Sequence, residues 1–422
     1  MTQRDGTRSR LISNWPASLV KRRVPWISSR PHPAEAGAPA SAAAIEQAGE
    51  VRSSAIESLR ALAALGVLEG HVFGQVHAYG PSAYANFFDR ALLGGGFGVY
   101  LFFALTGYLL YRPFARRDFA SGRSLRYGRY AANRAFRILP LYYVVLVVYL
   151  LVFDHGGAST TWWRSALFLE NFFPATLNHV DGVMWSLVVE MQFYVLLPFL
   201  AIVIKRLSGG SVRFAVLGVA AIGLVSELIR LGTVTLPATI DLRWEYSLPS
   251  TFVFFTSGMI LALLQTSLGD RQVDWLPGVA RRSGAWLAAG IALWCVVAWR
   301  YDLDVLLVPG AFLVVGAVVM PIHRGLSVRV LEWRPLAMLG VASYSLYLWH
   351  FPIVSHLGLG SVGRNYFGSL AITAPLCCAV ALVSYAVVEA PFLRLRRSWS
   401  AGTGDTKDAA TGLGFAPAPG PG

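Results

Sequence analysis

Long apolar runs recur along the chain, each closed by a cluster of arginine, glycine or proline. Ten of them are long, or nearly long, enough to cross a hydrocarbon core as helices: 55–76, 92–114, 138–153, 184–204, 212–231, 250–267, 284–300, 304–321, 336–357 and 369–391. In lipid the backbone must satisfy its own polar groups, so the pattern predicts an all-α polytopic membrane protein. Only YDLD separates the seventh and eighth runs and the seventh is barely long enough, so a re-entrant hairpin is the alternative there. Residues 1–52 are rich in Arg, Pro, Ser and Ala, with no apolar run fit for a signal-peptide core, and read as a disordered basic tail. Residues 398–422, rich in Gly, Ala and Pro, read as a second such tail, leaving 53–397 as the membrane domain.

Composition sharpens this picture. Hydrophobic residues make up 55% of the 422 and charged residues 14%, with only 23 Asp and Glu, too few to coat a soluble protein of this size. The net charge of +13 suggests nucleic acid until its distribution is examined. With the N-terminus inside, the first internal loop holds Arg116, Arg117, Arg123, Arg126, Arg129, Arg134 and Arg137, and each later internal loop again carries about three Lys or Arg. External loops carry only single or paired arginines. This is the positive-inside bias of an inner (plasma) membrane protein with both termini cytoplasmic, and no nucleic-acid partner is called for. Cys295, Cys377 and Cys378 fall inside apolar runs without metal-site spacing, so neither a disulfide framework nor a metal site is expected.

The candidate chemistry lies in ionisable residues within the spans, where they are costly and normally face a protein interior or a cavity. Arg60 and His71 are eleven residues apart in the first span, which places them within roughly 20° on one helix face and about 16 Å apart along the axis. Arg60 either snorkels to the interface or serves the site. His71 either satisfies a neighbouring carbonyl or, as a neutral imidazole, takes a proton from an alcohol. Glu190, in WSLVVEMQFYVLLP, either orients a hydroxyl acceptor or histidine, or pairs with an arginine. His350 closes SYSLYLWHFPI as an acceptor-side or structural group, and the hydroxyls of Ser343, Tyr344, Ser345 and Tyr347 either bond across helices or line a cavity, with a packing role expected for most of them. Glu389 reads as one half of a structural ion pair, and Glu69 and Glu227 carry no assignment.

Taken in order, the Arg60 and His71 pair, FFALTGYLL, NRAFRILPLYY, WSLVVEMQFYVLLP, SYSLYLWHFPI and VEAPFLRL resemble the signatures of the membrane-bound acyltransferase 3 family across about residues 55–395. The resemblance implies an O-acyltransferase that moves an acyl group, often acetyl, from acyl-coenzyme A to a hydroxyl of a carbohydrate or other acceptor. It implies Arg60 and His71 as the essential pair, Glu190 approaching from the acceptor side, and Arg134 and Arg137 on the phosphates of acyl-CoA. Guanidinium forks suit those phosphates, although positive-inside bias also accounts for arginines in that loop. Acyl-CoA enters as co-substrate, with no tightly bound cofactor. Thr106 stands where members often have serine, and no counterpart is expected here of the soluble esterase-like extension found in some members.

A proton-coupled secondary transporter or flippase is the rival class, since buried Arg, His and Glu among ten spans also describe a carrier. It calls for broken helices and an internal repeat, and no repeat is evident. A structural membrane subunit is a third class, which the buried charges disfavour. The acceptor is open among surface polysaccharides, lipid-linked sugars, peptidoglycan and macrolide-like scaffolds. The Ala, Arg and Gly richness fits a bacterium with a GC-rich genome.

Overall fold

A computed structural model describes residues 42–402 except 81–85, 121, 123–124, 154–161, 174–181, 236–241, 270, 272, 274–275 and 364. Most of both expected tails therefore lies outside the described residues. The first helix, α1 (Ala42–Val76), begins before residue 53, in keeping with the helix-favouring AAAIEQ stretch at its start. Eight long helices or helix pairs follow: α2 (Phe87–Phe119), α3 (Tyr127–Phe153), α4 (Met184–Ser208), α5 (Val212–Thr235), α6 (Leu248–Leu268), α7 (Ser283–Trp299), α8 (Tyr301–Val319) and the bent pair α9 (Arg334–Val341) and α10 (Ser343–Ser355). The last is α11 (Tyr366–Arg396). No strand occurs among the described residues, where Arg282 and His323 form an isolated bridge. The fold is all-α and polytopic.

Each of the ten expected spans has a helical counterpart, but the described residues contain seven helices long and apolar enough to cross a bilayer, or eight if the bent pair counts as one. Arg60, Glu69, His71 and Gln75 dilute the hydropathy of α1. At 17 residues α7 is about 25 Å long, short of a 30 Å hydrocarbon core. It packs back on α8 as a helical hairpin, with Trp286 and Phe312 stacked at 6.1 Å. The ninth span bends by 65°. Its break falls at Ala342 (φ −89°, ψ 9°), between Gly340 and Ser343, both of which face α1.

The centre of the bundle is α6, buried on most of its surface. A helix buried all round needs no polar face. Its polar side chains are satisfied internally: Thr256 and Ser257 donate to carbonyls one turn back, and Gln265 accepts from Tyr108 at 2.6 Å while donating to the Val319 carbonyl at 2.8 Å. α2 lies against it through Gly107 and Gly258, where an added Cβ would strike the facing backbone. Small residues let membrane helices approach this closely. Phe255 then stacks on Phe103 at 4.6 Å and on Phe193 of α4 at 4.2 Å, tying three helices together. On α4 the opposite stripe, Val195, Phe199, Val203 and Leu207, is exposed at helical spacing, as a lipid-facing surface requires.

Candidate functional site

The site grows from α1 and the bent pair α9–α10, which meet although 283 residues separate Arg60 from Ser343. Gly340 sits on the Glu57 carbonyl, Arg60 Nε donates to Ser343 Oγ at 3.2 Å, the His71 and His350 rings lie 5.1 Å apart, and Gln75 Nε2 donates to Ser355 Oγ at 2.6 Å. These four contacts follow one another in order along α1 and α9–α10. A Cβ on residue 340 would have no room against that carbonyl, so glycine sets the closest approach.

At one level of the site charged groups gather. Arg60 is half-buried, with Glu57 Oε2 at 3.7 Å one turn before it and the Phe102 ring at 5.9 Å. The charges of Arg137 and Glu190 also act on it. Glu190 Oε1 accepts a hydrogen bond from Thr106 Oγ1 at 2.6 Å. Glu190 lies in electrostatic reach of Arg60.

Arg134 and Arg137, one turn apart on α3, have different surroundings. Arg137 Nη1 lies 3.0 Å from Glu389 Oε2, and its Nη2 donates to the Val341 carbonyl at 3.2 Å. Glu389 Oε1 accepts from Ser345 Oγ at 2.5 Å. The partner of Glu389 is thus an arginine of α3, and not the basic cluster that follows it in sequence. Arg134 instead lies 6.0 Å from the Tyr194 ring centre, and its buried Nε has no hydrogen-bond partner.

Deeper along α1 stands His71. Its Nδ1 is 2.7 Å from the Val67 carbonyl, and because a carbonyl only accepts, the proton sits on Nδ1 and Nε2 carries a lone pair. His350 is fully buried, with Nδ1 2.6 Å from the Tyr347 carbonyl. Phe102 and Tyr347, with rings 5.8 Å apart, connect the arginine level to the histidines. Tyr347 Oη lies 2.7 Å from Ser186 Oγ of the WSL stretch, so the cross-helix role expected for that hydroxyl is realised. Tyr344 likewise donates to the Ile138 carbonyl at 3.0 Å.

Two residues left without assignment now have partners. Glu69 accepts from Tyr366 Oη at 2.8 Å, and Glu227 pairs with Arg230 at 3.2 Å. Arg230 also binds Asp304 at 2.5 Å, giving a second charged cluster away from His71. Sequence reasoning missed Glu57, whose signal was its place one turn before Arg60, and it gave no hint that Phe102 would lie against Arg60. No group of three or more His, Cys, Asp or Glu that could hold a metal occurs among the described residues, and the three cysteines are free.

Comparison with known families bears on this geometry. A sequence profile described as an acyltransferase domain matches residues 53–389. The chain belongs to that acyltransferase family. The family segment contains Arg60, His71, Glu190 and both arginines of α3. The chain is 26% identical over 337 residues to the peptidoglycan O-acetyltransferase OatA of Listeria monocytogenes, covering 71% of this chain and 49% of that protein. It is 24% identical over 370 residues to the O-acetyltransferase OatA of Staphylococcus aureus, covering 80% and 56% respectively. Nodulation protein 10 of Rhizobium leguminosarum is 23% identical over 373 residues, covering 81% of this chain and 93% of its own. The chain spans about half the length of the first curated relatives it matches. No solved structure matches it.

Proposed function

We propose that this acyltransferase moves an acetyl group from acetyl-coenzyme A to a hydroxyl of a cell-envelope carbohydrate such as peptidoglycan, at an inner membrane with both termini cytoplasmic. The carrying observation is the His71 tautomer: Nδ1–H is committed to Val67, so Nε2 is a base with its lone pair free for an acceptor hydroxyl. Acetyl and peptidoglycan follow the names of the two OatA relatives.

The roles divide by distance. Arg60 and His71 are about 16 Å apart along α1, so they cannot act on the same atom. Arg60 therefore guides the donor along the helix face, and His71 serves the reacting end. Arg134, with its unused Nε, takes the donor's phosphates with charge-assisted hydrogen bonds. Arg137, held by Glu389, fixes α3 to α11 beside it. Glu190, held by Thr106, supplies the negative charge that keeps Arg60 in place. His71 removes the hydroxyl proton as the acceptor oxygen attacks the thioester carbon, and the proton returns to sulfur when the C–S bond breaks. The carrier reading draws on the bend between α9 and α10 alone.

The test is transfer by purified protein, read as thiol release from acetyl-CoA together with mass gain on soluble peptidoglycan fragments. His71→Gln, which keeps polarity but cannot take a proton at neutral pH, is expected to lower both signals by about 10²–10⁴-fold in a folded protein. Near-normal turnover by that variant would remove His71 as the base. Substrate flux in vesicles without thioester use by the wild type would return the protein to the carriers.

A further inference from the structure

We propose that His350 is a working part of the site: the hydrogen-bond acceptor that receives His71's captured proton and shares it while the acyl group moves. The inference rests on His71 being the base.

It begins with an unfilled valence. His350 is fully buried, and its Nδ1–H is committed to the Tyr347 carbonyl, so Nε2 is a lone pair. That Nε2 is buried and has no hydrogen-bond partner. Leaving a buried acceptor without a donor is unfavourable, and a packing residue of similar size would avoid that penalty. The neighbours on its own helix do not fill it: Tyr347 Oη is engaged with Ser186 Oγ and the Val183 carbonyl, and Phe351 has no polar atom to offer.

Across the interface stands His71, with its ring 5.1 Å from that of His350 at an angle of 61°. Two neutral imidazoles, each with its proton on Nδ1, cannot bond through two bare Nε2 atoms. After His71 takes the hydroxyl proton and the acceptor oxygen has bonded to carbon, its Nε2–H is released from that oxygen and becomes the donor that His350 lacks. Among the described residues no carboxylate is bonded to either ring, and the orienting groups are the Val67 and Tyr347 carbonyls. In serine hydrolase triads a buried carboxylate on Nδ1–H stabilises the imidazolium. Here the Val67 carbonyl holds Nδ1–H and Glu69 is committed to Tyr366, so the neighbouring imidazole is left to stabilise the charge from the Nε2 side.

The proton account closes. The acceptor O–H breaks to His71 Nε2 as its oxygen bonds to the thioester carbon. The proton is then shared between the two Nε2 atoms while the tetrahedral carbon persists. It passes to the sulfur as the C–S bond breaks, and both rings end neutral. One proton is held at a time, because two imidazolium rings this close repel strongly in a dry interior.

The experiment uses the full chain in nanodiscs with acetyl-CoA and soluble peptidoglycan fragments. His350→Leu is expected to lower kcat by about tenfold or more while the KM for acetyl-CoA stays within about twofold, and His350→Gln, whose amide oxygen accepts, is expected to restore most of it. In a His71→Gln background, adding His350→Leu is expected to cost nothing further, because the two act as one unit. Wild-type kcat in His350→Leu overturns the proposal, as does a full additional loss in the double variant. Should the leucine variant fail to fold, the single-turnover rate of the wild type against deuterium fraction decides. A bowed dependence supports a second proton position, and a straight one overturns it. Normal turnover in His71→Gln alone marks the failure of the base assignment itself.

Discussion

Arg137 and Glu389 form a buried ion pair at 3.0 Å that joins α3 to α11, with Ser345 and the Val341 carbonyl satisfying further valences from α10 and α9. Removing one partner of such a pair leaves the other charged and buried, at a cost of about 3–5 kcal/mol. Arg137→Ala is therefore expected to unfold far more readily than the wild type in a detergent melt, and Glu389→Ala likewise. Replacing both together with Met and Leu should recover most of that loss.

Arg134 should behave in the opposite way. Its Nε has no hydrogen bond to lose within the protein, so Arg134→Ala is expected to melt near the wild-type temperature. Losing one charge-assisted contact to phosphate should raise the KM for acetyl-CoA about tenfold and leave the acceptor KM unchanged. Steady-state kinetics with each substrate varied in turn will show the split. An unchanged donor KM would return Arg134 to a purely topological role.

The difference between these two arginines marks where sequence reading stops. Both sit in one basic stretch, and nothing local distinguishes them, because the partner of Arg137 is contributed by a helix at the other end of the chain. The shared face of Arg60 and His71 was legible, since it follows from helical geometry alone. The contact between His71 and His350 was not, because it depends on a helix register set by Gly340. The ten apolar runs were legible for the same reason as the α1 face. The bend at Ala342 carried no proline or glycine at the break itself to announce it.

Glu170 offers a handle outside the spans. Burial pushes its carboxyl up from 4.5 to about 7, and the hydrogen bond from Ser165 Oγ opposes that shift. A raised acid pKa means the folded state holds the proton more tightly, so its contribution is fully present below 4.5 and is lost as pH rises to about 7. Melting temperatures measured from pH 5 to pH 8 should fall in the wild type and fall less in Glu170→Gln. Parallel curves for the two proteins would exclude Glu170 as the source.

Topology can be read at Gly128, an exposed position at the start of α3 where an added Cβ meets nothing within 4 Å. In a background lacking the three native cysteines, Gly128→Cys is expected to resist an impermeant thiol reagent in intact cells and to react once the membrane is opened. Labelling from outside would invert the bundle and place the arginine-rich loop away from cytoplasmic acetyl-CoA.

The seam between α1 and α10 also has a consequence for how the protein is made. Arg60 leaves the ribosome 283 residues before Ser343, so while that stretch is made its charge must be tolerated without that partner. Glu57, one turn earlier on the same helix, is the carboxylate already present at that moment. The local pair thus escorts a functional charge into the bilayer, and the later helix supplies the second contact and the facing imidazole. A nascent chain halted before residue 343 would hold Arg60 and His71 in the membrane and still lack a finished site, so the site is completed only once the later helix has been made.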